Sequence, residues 1–298
     1  MPRLYASAEA FRNALEARLN RIAEVELIQI NRLRRQVAFD RLLARLFRGD
    51  PAPWVLKGGY ALELRFRTAR ATVDIDLTVQ RVAPEATANQ IVRDMLQEVA
   101  NSSLGDWCEY TIGAPVLDLD AAPYGGARFP IEARMGGRIF ARFHLDAGIG
   151  DAIIRPIEII ACRDWLSFAG ITPAQVQTIS REQQFAEKLH AYTLPRSSAN
   201  SRVKDLVDLA LLIGSGGLSP ARVSDALDIT FRRRRTHELP AALLEPPRDW
   251  QGRFVALAEE CQLKGDMDTV FTEVEDFFMR MVKSGADRTE VGYGRPES

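Results

Sequence analysis

The sequence predicts an α+β fold, in which an N-terminal helical segment precedes a mixed-sheet core and a helical C-terminal half. Apolar residues recur at helical spacing over 7–47, with no proline between them. Apolar and polar residues alternate, as in strands, over much of 107–160. Helical spacing then returns over five stretches of the C-terminal half: 183–192, 202–213, 220–230, 238–261 (interrupted by two prolines) and 267–282.

This distribution divides the chain into three parts. Residues 1–165 are expected to hold the N-terminal helices and an α/β core, and residues 166–285 a helical domain. Residues 286–298 are polar and contain two glycines, so they are expected to form a disordered tail.

Composition excludes several classes of protein. The 298 residues are 46% hydrophobic and 27% charged, which is typical of a folded protein, and the net charge of −1 means that nucleic-acid affinity needs a local basic patch. Cys108, Cys162 and Cys261 are scattered and form no C-x-x-C motif, which favours a reducing compartment over a disulfide framework or zinc site. With no signal-peptide pattern and no apolar run near the roughly 20 residues of a membrane span, we expect a cytoplasmic protein.

Two adjacent glycines, Gly58 and Gly59, separate a short apolar strand at 54–57 from a helical pattern that starts at Tyr60. A strand, a glycine turn and a helix in this order direct backbone N–H groups towards a ligand and favour phosphate binding. Glycine also permits unusual dihedral angles and close backbone approach. Other glycine pairs in the chain are expected to mark ordinary turns, so this pair alone is also compatible with a simple turn.

Two aspartates, Asp74 and Asp76, alternate with apolar residues on a strand predicted over 72–79. Residues two apart on a strand share a face, so the carboxylates lie side by side and repel unless a cation or a proton intervenes. Mg²⁺ suits such a pair, whereas the alternative is a half-buried strand with a solvated acidic face. Asp146, on a later alternating strand, could join them, and three carboxylates can bind two metal ions.

These features resemble those of the polymerase-β-type nucleotidyltransferases, which have a glycine turn on a helix, a D-h-D strand and a later single acid. More narrowly, the sequence resembles the AbiEii family of bacterial toxin nucleotidyltransferases of type IV toxin–antitoxin systems. The resemblance covers roughly residues 50–215, more than half of the chain. It rests on four motifs: KGGYALELR at 57–65, TVDID at 72–76, EKLHA at 187–191 and RVKDLVDL at 202–209.

The resemblance implies a polymerase-β-like nucleotidyltransferase core and a role for each matching residue. Gly58 and Gly59 would hold the triphosphate of an NTP, with Lys57 close by. Asp74 and Asp76 would ligate Mg²⁺, and Asp146 matches the superfamily's third metal-binding acid through a looser surrounding pattern.

Two residues of the C-terminal half also match the family. The resemblance implies that Lys188 neutralises phosphate charge and that Asp208 acts as a base or positions the acceptor, with Asp205 as a partner. From the residues alone, Lys188 could equally be a solvated surface lysine. Asp205 and Asp208 could likewise be like charges that Lys204 or Arg202 offsets locally.

The implied activity is transfer of a nucleoside monophosphate from an NTP to RNA, with the 3′ end of tRNA as the expected acceptor. Such a toxin would block translation, and a cognate antitoxin would counter it. Two alternatives stay open. One is a nucleotidyltransferase of small molecules such as antibiotics, and the other is a non-catalytic nucleotide- or protein-binding module.

Three further features allow weaker hypotheses. The run Arg232–Arg235 is the densest basic cluster and could hold an RNA backbone, although such runs are usually solvated. Thr72 is predicted on the same strand face as Asp74, so that its phosphorylation would repel the acid pair and regulate the site. The histidines are far apart, and His190 is expected to pack or hydrogen-bond within a helix.

Overall fold

The computed structural model describes residues 5–49, 51–83, 85–119, 122–195 and 202–291, the last eight of these by their backbone alone. The chain divides into two compact units. The first comprises Met1–Arg65, Ala71–Gly150 and Ile157–Thr178, and the second comprises Phe66–Arg70, Asp151–Pro156 and Ile179–Ser298. None of the described helices is long and apolar enough to cross a membrane.

The first unit is built on a mixed sheet. Its helices are α1 (Ala8–Glu26), α2 (Ile30–Leu46), α3 (Gly58–Arg65) and α4 (Ala88–Ala100). Its strands are β1 (Trp54–Lys57), β2 (Asp74–Val79), β3 (Cys108–Ile112), β4 (Leu117–Asp118), β5 (Gly126–Met135), β6 (Arg138–Ile149), β7 (Glu158–Ala161) and β8 (Gln175–Thr178). Within the described residues the strand order is β3-β5-β6-β2-β1-β8-β7, with β4 also on β5. Because β2–β6 and β1–β8 are parallel and the other pairs antiparallel, the predicted α+β class with a mixed sheet is confirmed.

Alternation along the strands gives the sheet one apolar face and one polar face. Ile75 and Leu77 of β2 are fully buried, while Asp74 and Asp76, which alternate with them, are partly exposed. The apolar face packs into a core that includes residues of α1 and α2 such as Phe11. The N-terminal pattern forms two helices because Leu27 adopts a left-handed conformation (φ 55°) that ends α1.

A buried carboxylate ties three parts of the first unit together. Asp40 of α2 accepts hydrogen bonds from the Tyr60 hydroxyl of α3, from the Trp165 indole N–H (2.7 Å) and from the Arg163 backbone N–H (3.0 Å). Burial raises the pKa of Asp40 to about 6 even though these hydrogen bonds favour the charged form. Asp40 therefore stabilises the fold more when it is protonated.

This raised pKa predicts a pH-dependent stability. The contribution of Asp40 is full below its ordinary pKa of 3.8 and is lost as the pH rises through about 6. The corresponding loss is about 3 kcal/mol at most. Urea unfolding of the wild type and of Asp40→Asn between pH 4 and pH 7 should show wild-type stability falling relative to that of the variant. A difference that stays constant over this range would contradict the assignment.

The second unit is helical in its described part. Its helices are α5 (Arg181–Thr193), α6 (Val203–Gly214), α7 (Pro220–Arg234), α8 (Gln251–Glu260) and α9 (Met267–Val291). Helix α5 buries Phe185, Leu189 and Tyr192, as its spacing predicts. Serine N-caps start both α5 and α7, since Ser180 accepts a hydrogen bond from the backbone N–H of Gln183 and Ser219 from that of Arg222.

Two helix boundaries differ from the prediction. The helix predicted over 238–261 starts only at Gln251, after a short 3₁₀ turn at Arg248–Trp250, because three prolines lie in 240–247 and proline disrupts a helix interior. Helix α9 continues to Val291 rather than ending at 282, since no proline interrupts 283–291. The predicted disordered tail at 286–298 therefore overlaps the end of α9, and 292–298 lie outside the described residues.

Candidate functional site

Four charged residues form a row across the polar face of the sheet. In the strand register, Lys57 of β1 is paired with Asp76 of β2, Asp76 with Asp146 of β6, and Asp146 with Arg128 of β5. Paired residues of neighbouring strands project to the same face, so the row reads positive, negative, negative, positive. Asp74 lies one pleat away from Asp76 on the same face, so the structure places the three predicted aspartates together in the first unit.

The glycine turn contacts the acid pair directly. Strand β1 ends at Lys57, and α3 begins at Gly58, which has a left-handed φ of 67°. A Cβ atom at Gly58 would overlap the carboxylate of Asp76, whereas Gly59 lies buried in the first turn of α3. The turn therefore needs glycine for its dihedral angle and for the space that the Asp76 side chain occupies.

This double requirement predicts that Gly58→Ala is strongly destabilising. The left-handed backbone and the overlap with Asp76 should together lower the free energy of unfolding by about 2–4 kcal/mol. Gly49→Ala is the matched control, because Gly49 has open space around its Cβ position and no left-handed φ. Urea unfolding should show a change of less than about 1 kcal/mol for the control. Equal effects at the two positions would contradict this account of the turn.

A buried glutamate fixes the backbone that leads into the acid pair. Glu63 of α3 accepts hydrogen bonds through Oε1 from Arg32 Nη2 (2.8 Å) and Gln36 Nε2 (2.5 Å) of α2. Its Oε2 accepts from the backbone N–H of Thr72 (3.2 Å). Glu63 lies inside the motif at 57–65, but the motif alone gives no role for it.

The same contacts explain why Thr72 is not in the strand. Its N–H is bonded to Glu63 and its carbonyl accepts from Arg35 Nε (3.1 Å), so neither group joins the sheet ladder and β2 starts at Asp74. The prediction that β2 starts at Thr72 was therefore wrong. Thr72 is buried, and its hydroxyl donates to the carbonyl of Asp74 at 3.4 Å. The hypothesis of phosphorylation at Thr72 gains no support from this placement.

Arg128 is a site residue that the motifs did not reveal. Its Nε and Nη2 donate to the two carboxylate oxygens of Asp146 at 2.7 and 2.8 Å, and Nη2 lies 3.3 Å from Oδ2 of Asp74. The hydrogen bond to Asp146 raises the pKa of Arg128 above its ordinary value. Only the alternation of β5, which places Arg128 on the polar face, could have pointed to it.

The acid pair fits a divalent cation that takes most of its ligands from elsewhere. Asp74 and Asp76 offer carboxylate oxygens on one face, and the Asp74 side chain is 22% exposed. Mg²⁺ commonly uses one or two carboxylates together with water and substrate phosphates, so this pair suits it. Among the described residues, no group of three or more His, Cys, Asp or Glu side chains is arranged to hold a metal ion.

A cavity of about 690 Å³ opens beside Asp74 in the first unit. This volume lies within the range of small-molecule sites. Polar side chains from α2 and four strands line it: Arg35, Asp74, Thr111, Glu132, Arg142 and His144.

The second unit contains a buried cluster of charged residues. Lys188 Nζ of α5 lies 2.6 Å from Asp208 Oδ2 and 3.0 Å from Asp205 Oδ1, both on α6. Arg70 donates to Asp208 through Nε (3.0 Å) and Nη2 (2.8 Å), and Arg202 lies 3.3 Å from Asp205. Lys188 and Asp208 are therefore brought together, and the Lys188 side chain is only 13% exposed rather than solvated.

The cluster keeps its members charged. Burial alone would raise the pKa of Asp208, but Lys188 and Arg70 lower it below its ordinary value. Burial alone would lower the pKa of Lys188, but Asp208 and Asp205 raise it. A carboxylate with a lowered pKa and two cationic partners is a weak base, so this arrangement favours a positioning role for Asp208 over that of a base.

Removing one charged side chain of the cluster should destabilise the fold, because its partners would stay largely buried without a counterion. Asp208→Ala leaves Lys188 and Arg70 without their shared partner and should lower the free energy of unfolding by about 3–5 kcal/mol. Lys204→Ala, at an exposed position of the same helix, is the control and should change it by less than about 0.5 kcal/mol. The double variant Lys188→Met/Asp208→Ala should be less destabilised than the sum of the single changes, as measured by urea unfolding. Additive effects would mean that the two side chains do not interact.

The basic run at Arg232–Arg235 is only partly available to a ligand. The Arg234 side chain is only 10% exposed and pairs with Asp151 (3.0 Å) and Glu187 (3.3 Å), whereas its three neighbours in the run are exposed. Beside it, His190 contacts the Thr236 hydroxyl at 2.8 Å, as expected of a hydrogen-bonding residue. Burial lowers the pKa of His190 to about 3, so its ring is neutral.

A strand, a glycine turn and a helix in contact with a D-x-D strand of a mixed sheet are the features of a nucleotidyltransferase. The chain belongs to the AbiEii family, because the family model "Nucleotidyl transferase AbiEii toxin, Type IV TA system" matches residues 41–277. It is therefore a nucleotidyltransferase of a toxin family, whose substrate is an NTP and whose natural partner is an antitoxin.

A solved structure shows the same fold. MenT4, a nucleotidyltransferase toxin from Mycobacterium tuberculosis H37Rv, is 17% identical and superposes with a TM-score of 0.53 over 89% of this chain and 98% of its own. JHP933 from Helicobacter pylori is 13% identical, with a TM-score of 0.46 over 87% of this chain and 95% of its own. No curated protein matches the sequence.

Proposed function

We propose that this protein transfers a nucleoside monophosphate from an NTP to an RNA hydroxyl in a Mg²⁺-dependent reaction in the cytoplasm. The 3′ end of tRNA is the expected acceptor, and its modification would block translation. The observation that carries the proposal is the direct contact between the Gly58 turn and the Asp76 carboxylate. That contact supports the proposal, because it brings the turn proposed to bind phosphates next to the acid pair proposed to bind the metal ion.

In the proposed reaction, the acceptor hydroxyl oxygen bonds to the α-phosphorus of the NTP while the bond from that phosphorus to the bridging oxygen breaks. The electron pair leaves with pyrophosphate, and the hydroxyl proton passes to water. The turn at Gly58–Gly59 and the first turn of α3 would bind the leaving phosphates, with Lys57 adding positive charge from the row beside Asp76. Mg²⁺ held by Asp74 and Asp76 would neutralise charge that develops on the phosphate oxygens.

For the second unit, we propose that Lys188 binds a phosphate of the substrate. The interactions with Asp205 and Asp208 hold its ammonium group charged and in place. A cation that is already oriented stabilises developing phosphate charge without reorganisation during the reaction. Asp208 would then act through Lys188, as a positioning residue.

The proposed RNA contact uses exposed arginines of the second unit. Arg232, Arg233 and Arg235 are exposed at the end of α7, while Arg234 is held by acids. Because the whole chain has a net charge of −1, such a local patch is needed to attract a phosphate backbone. Loss of the patch should weaken RNA binding and leave NTP binding unchanged.

The acid pair gives the decisive test of the activity. Asp76→Asn should lower nucleotide transfer by at least about 100-fold, because a metal ligand contributes several kcal/mol to the transition state. Asp94→Asn, at an exposed position of α4, is the control and should transfer at the wild-type rate. Each protein is incubated with Mg²⁺, with each of the four labelled NTPs in turn and with purified tRNA, and label transfer is followed on a denaturing gel.

A parallel set of reactions contains aminoglycosides in place of RNA. Label on an aminoglycoside but not on tRNA would favour a small-molecule acceptor over the proposed one. Undiminished transfer by Asp76→Asn would overturn the role of the acid pair.

A further inference from the structure

The third acid of the site, Asp146, is engaged by an arginine through its whole carboxylate group. Both oxygens of Asp146 accept hydrogen bonds from Arg128, at 2.7 and 2.8 Å. This two-pronged pairing of a guanidinium and a carboxylate is among the strongest polar contacts in proteins. A metal ion on Asp146 would have to displace Arg128 and would leave a guanidinium next to a dication.

The guanidinium of Arg128 is oriented so that it could bind a ligand. The two bonds to Asp146 hold the guanidinium plane in place, and Nη2 reaches within 3.3 Å of Asp74, the first member of the acid pair. In the described part of the chain, Nη1 makes no hydrogen bond, and the Arg128 side chain is 31% exposed. Arg128 therefore presents donors beside the acid pair while Asp146 keeps it oriented.

We infer that Arg128 is a further residue of the active site, which binds the phosphate being transferred, and that Asp146 positions Arg128 instead of ligating a metal ion. The inference rests on the proposed function. A guanidinium matches the oxygens of a phosphate geometrically and stays charged at all relevant pH values. The site would then combine one carboxylate pair for a cation with one fixed arginine for the phosphate.

Metal binding tests the role of Asp146 without reference to activity. Mn²⁺ affinity is measured by electron paramagnetic resonance on the full chain, for the wild type and for Asp76→Asn and Asp146→Asn. Asp76→Asn should weaken Mn²⁺ binding at least 10-fold, whereas Asp146→Asn should bind within about 3-fold of the wild type. A loss of affinity in Asp146→Asn as large as that in Asp76→Asn would overturn the inference, since Asp146 would then be a ligand.

Transfer kinetics test the role of Arg128. Arg128→Gln should lower the rate of nucleotide transfer by about 100-fold or more, the effect of losing one oriented donor. Arg128→Lys should recover only part of that loss, because an ammonium group cannot make the paired contact. Asp146→Asn should lower the transfer rate as well. The double variant Asp146→Asn/Arg128→Gln should transfer no more slowly than Arg128→Gln alone.

Arg134→Gln is the matched control. Arg134 lies on the same strand as Arg128 and is also paired with an acid, Glu132 at 2.7 Å, so its loss should leave the transfer rate unchanged. Thermal unfolding verifies that each variant is folded. If the wild type transfers nucleotides and Arg128→Gln does so at the same rate, only this inference is overturned. If the wild type transfers nucleotides to no acceptor, the proposed function itself is overturned.

Discussion

Three carboxylates on one face of a sheet repel one another. The first unit therefore depends on positive charge next to them. Asp74, Asp76 and Asp146 project from two parallel strands, β2 and β6, whose register brings Asp76 and Asp146 side by side. Arg128 balances one end of the row, and Lys57 is paired in register at the other. A cation bound by the carboxylates of Asp74 and Asp76 would offset the repulsion that remains.

A second ionic contact determines where this acidic face lies relative to the glycine turn. Glu63 is almost completely buried, and a buried carboxylate is costly unless cations and hydrogen-bond donors surround it. Its partners come from α2 and from the backbone at Thr72, so one side chain of α3 connects the helix layer to the start of β2. The turn that starts α3 and the strand that carries the acid pair are therefore held by the same residue.

The parts of the fold that follow from local pattern could be predicted from the sequence. Helical spacing located the N-terminal helices and α5 to α7, and alternation located the hairpin of β5 and β6. Strand β8 was missed because it has only four residues, Gln175–Thr178, and its inclusion depends on pairing with β1 and β7, which are distant in sequence. The extent of α8 was overestimated because helical spacing outweighed the prolines before Gln251.

The site shows the same division between local and long-range information. The glycine turn and the D-x-D pair are short motifs, and their mutual contact follows from the pairing of adjacent strands. Arg128 lies outside every motif and the motif that contains Glu63 assigns it no role, because their importance lies in partners up to 54 and 31 residues away along the chain. Only register and side-chain geometry reveal such partners.

The charged cluster of the second unit is costly to bury, because its charged side chains lose their hydration. Asp205 and Asp208 lie on α6 among fully buried leucines and a valine, and an apolar residue at either position would pack there at no cost in desolvation. A buried ion cluster rarely stabilises a fold more than apolar packing does, so stability does not account for two acids, Lys188 and Arg70 in one helical interior. What the cluster does provide is a lysine that stays protonated although it is largely removed from solvent, since both acids raise its pKa. A fixed, charged ammonium group is of use to a protein that binds phosphates, and the cluster therefore supports the proposed role of Lys188 independently of its motif.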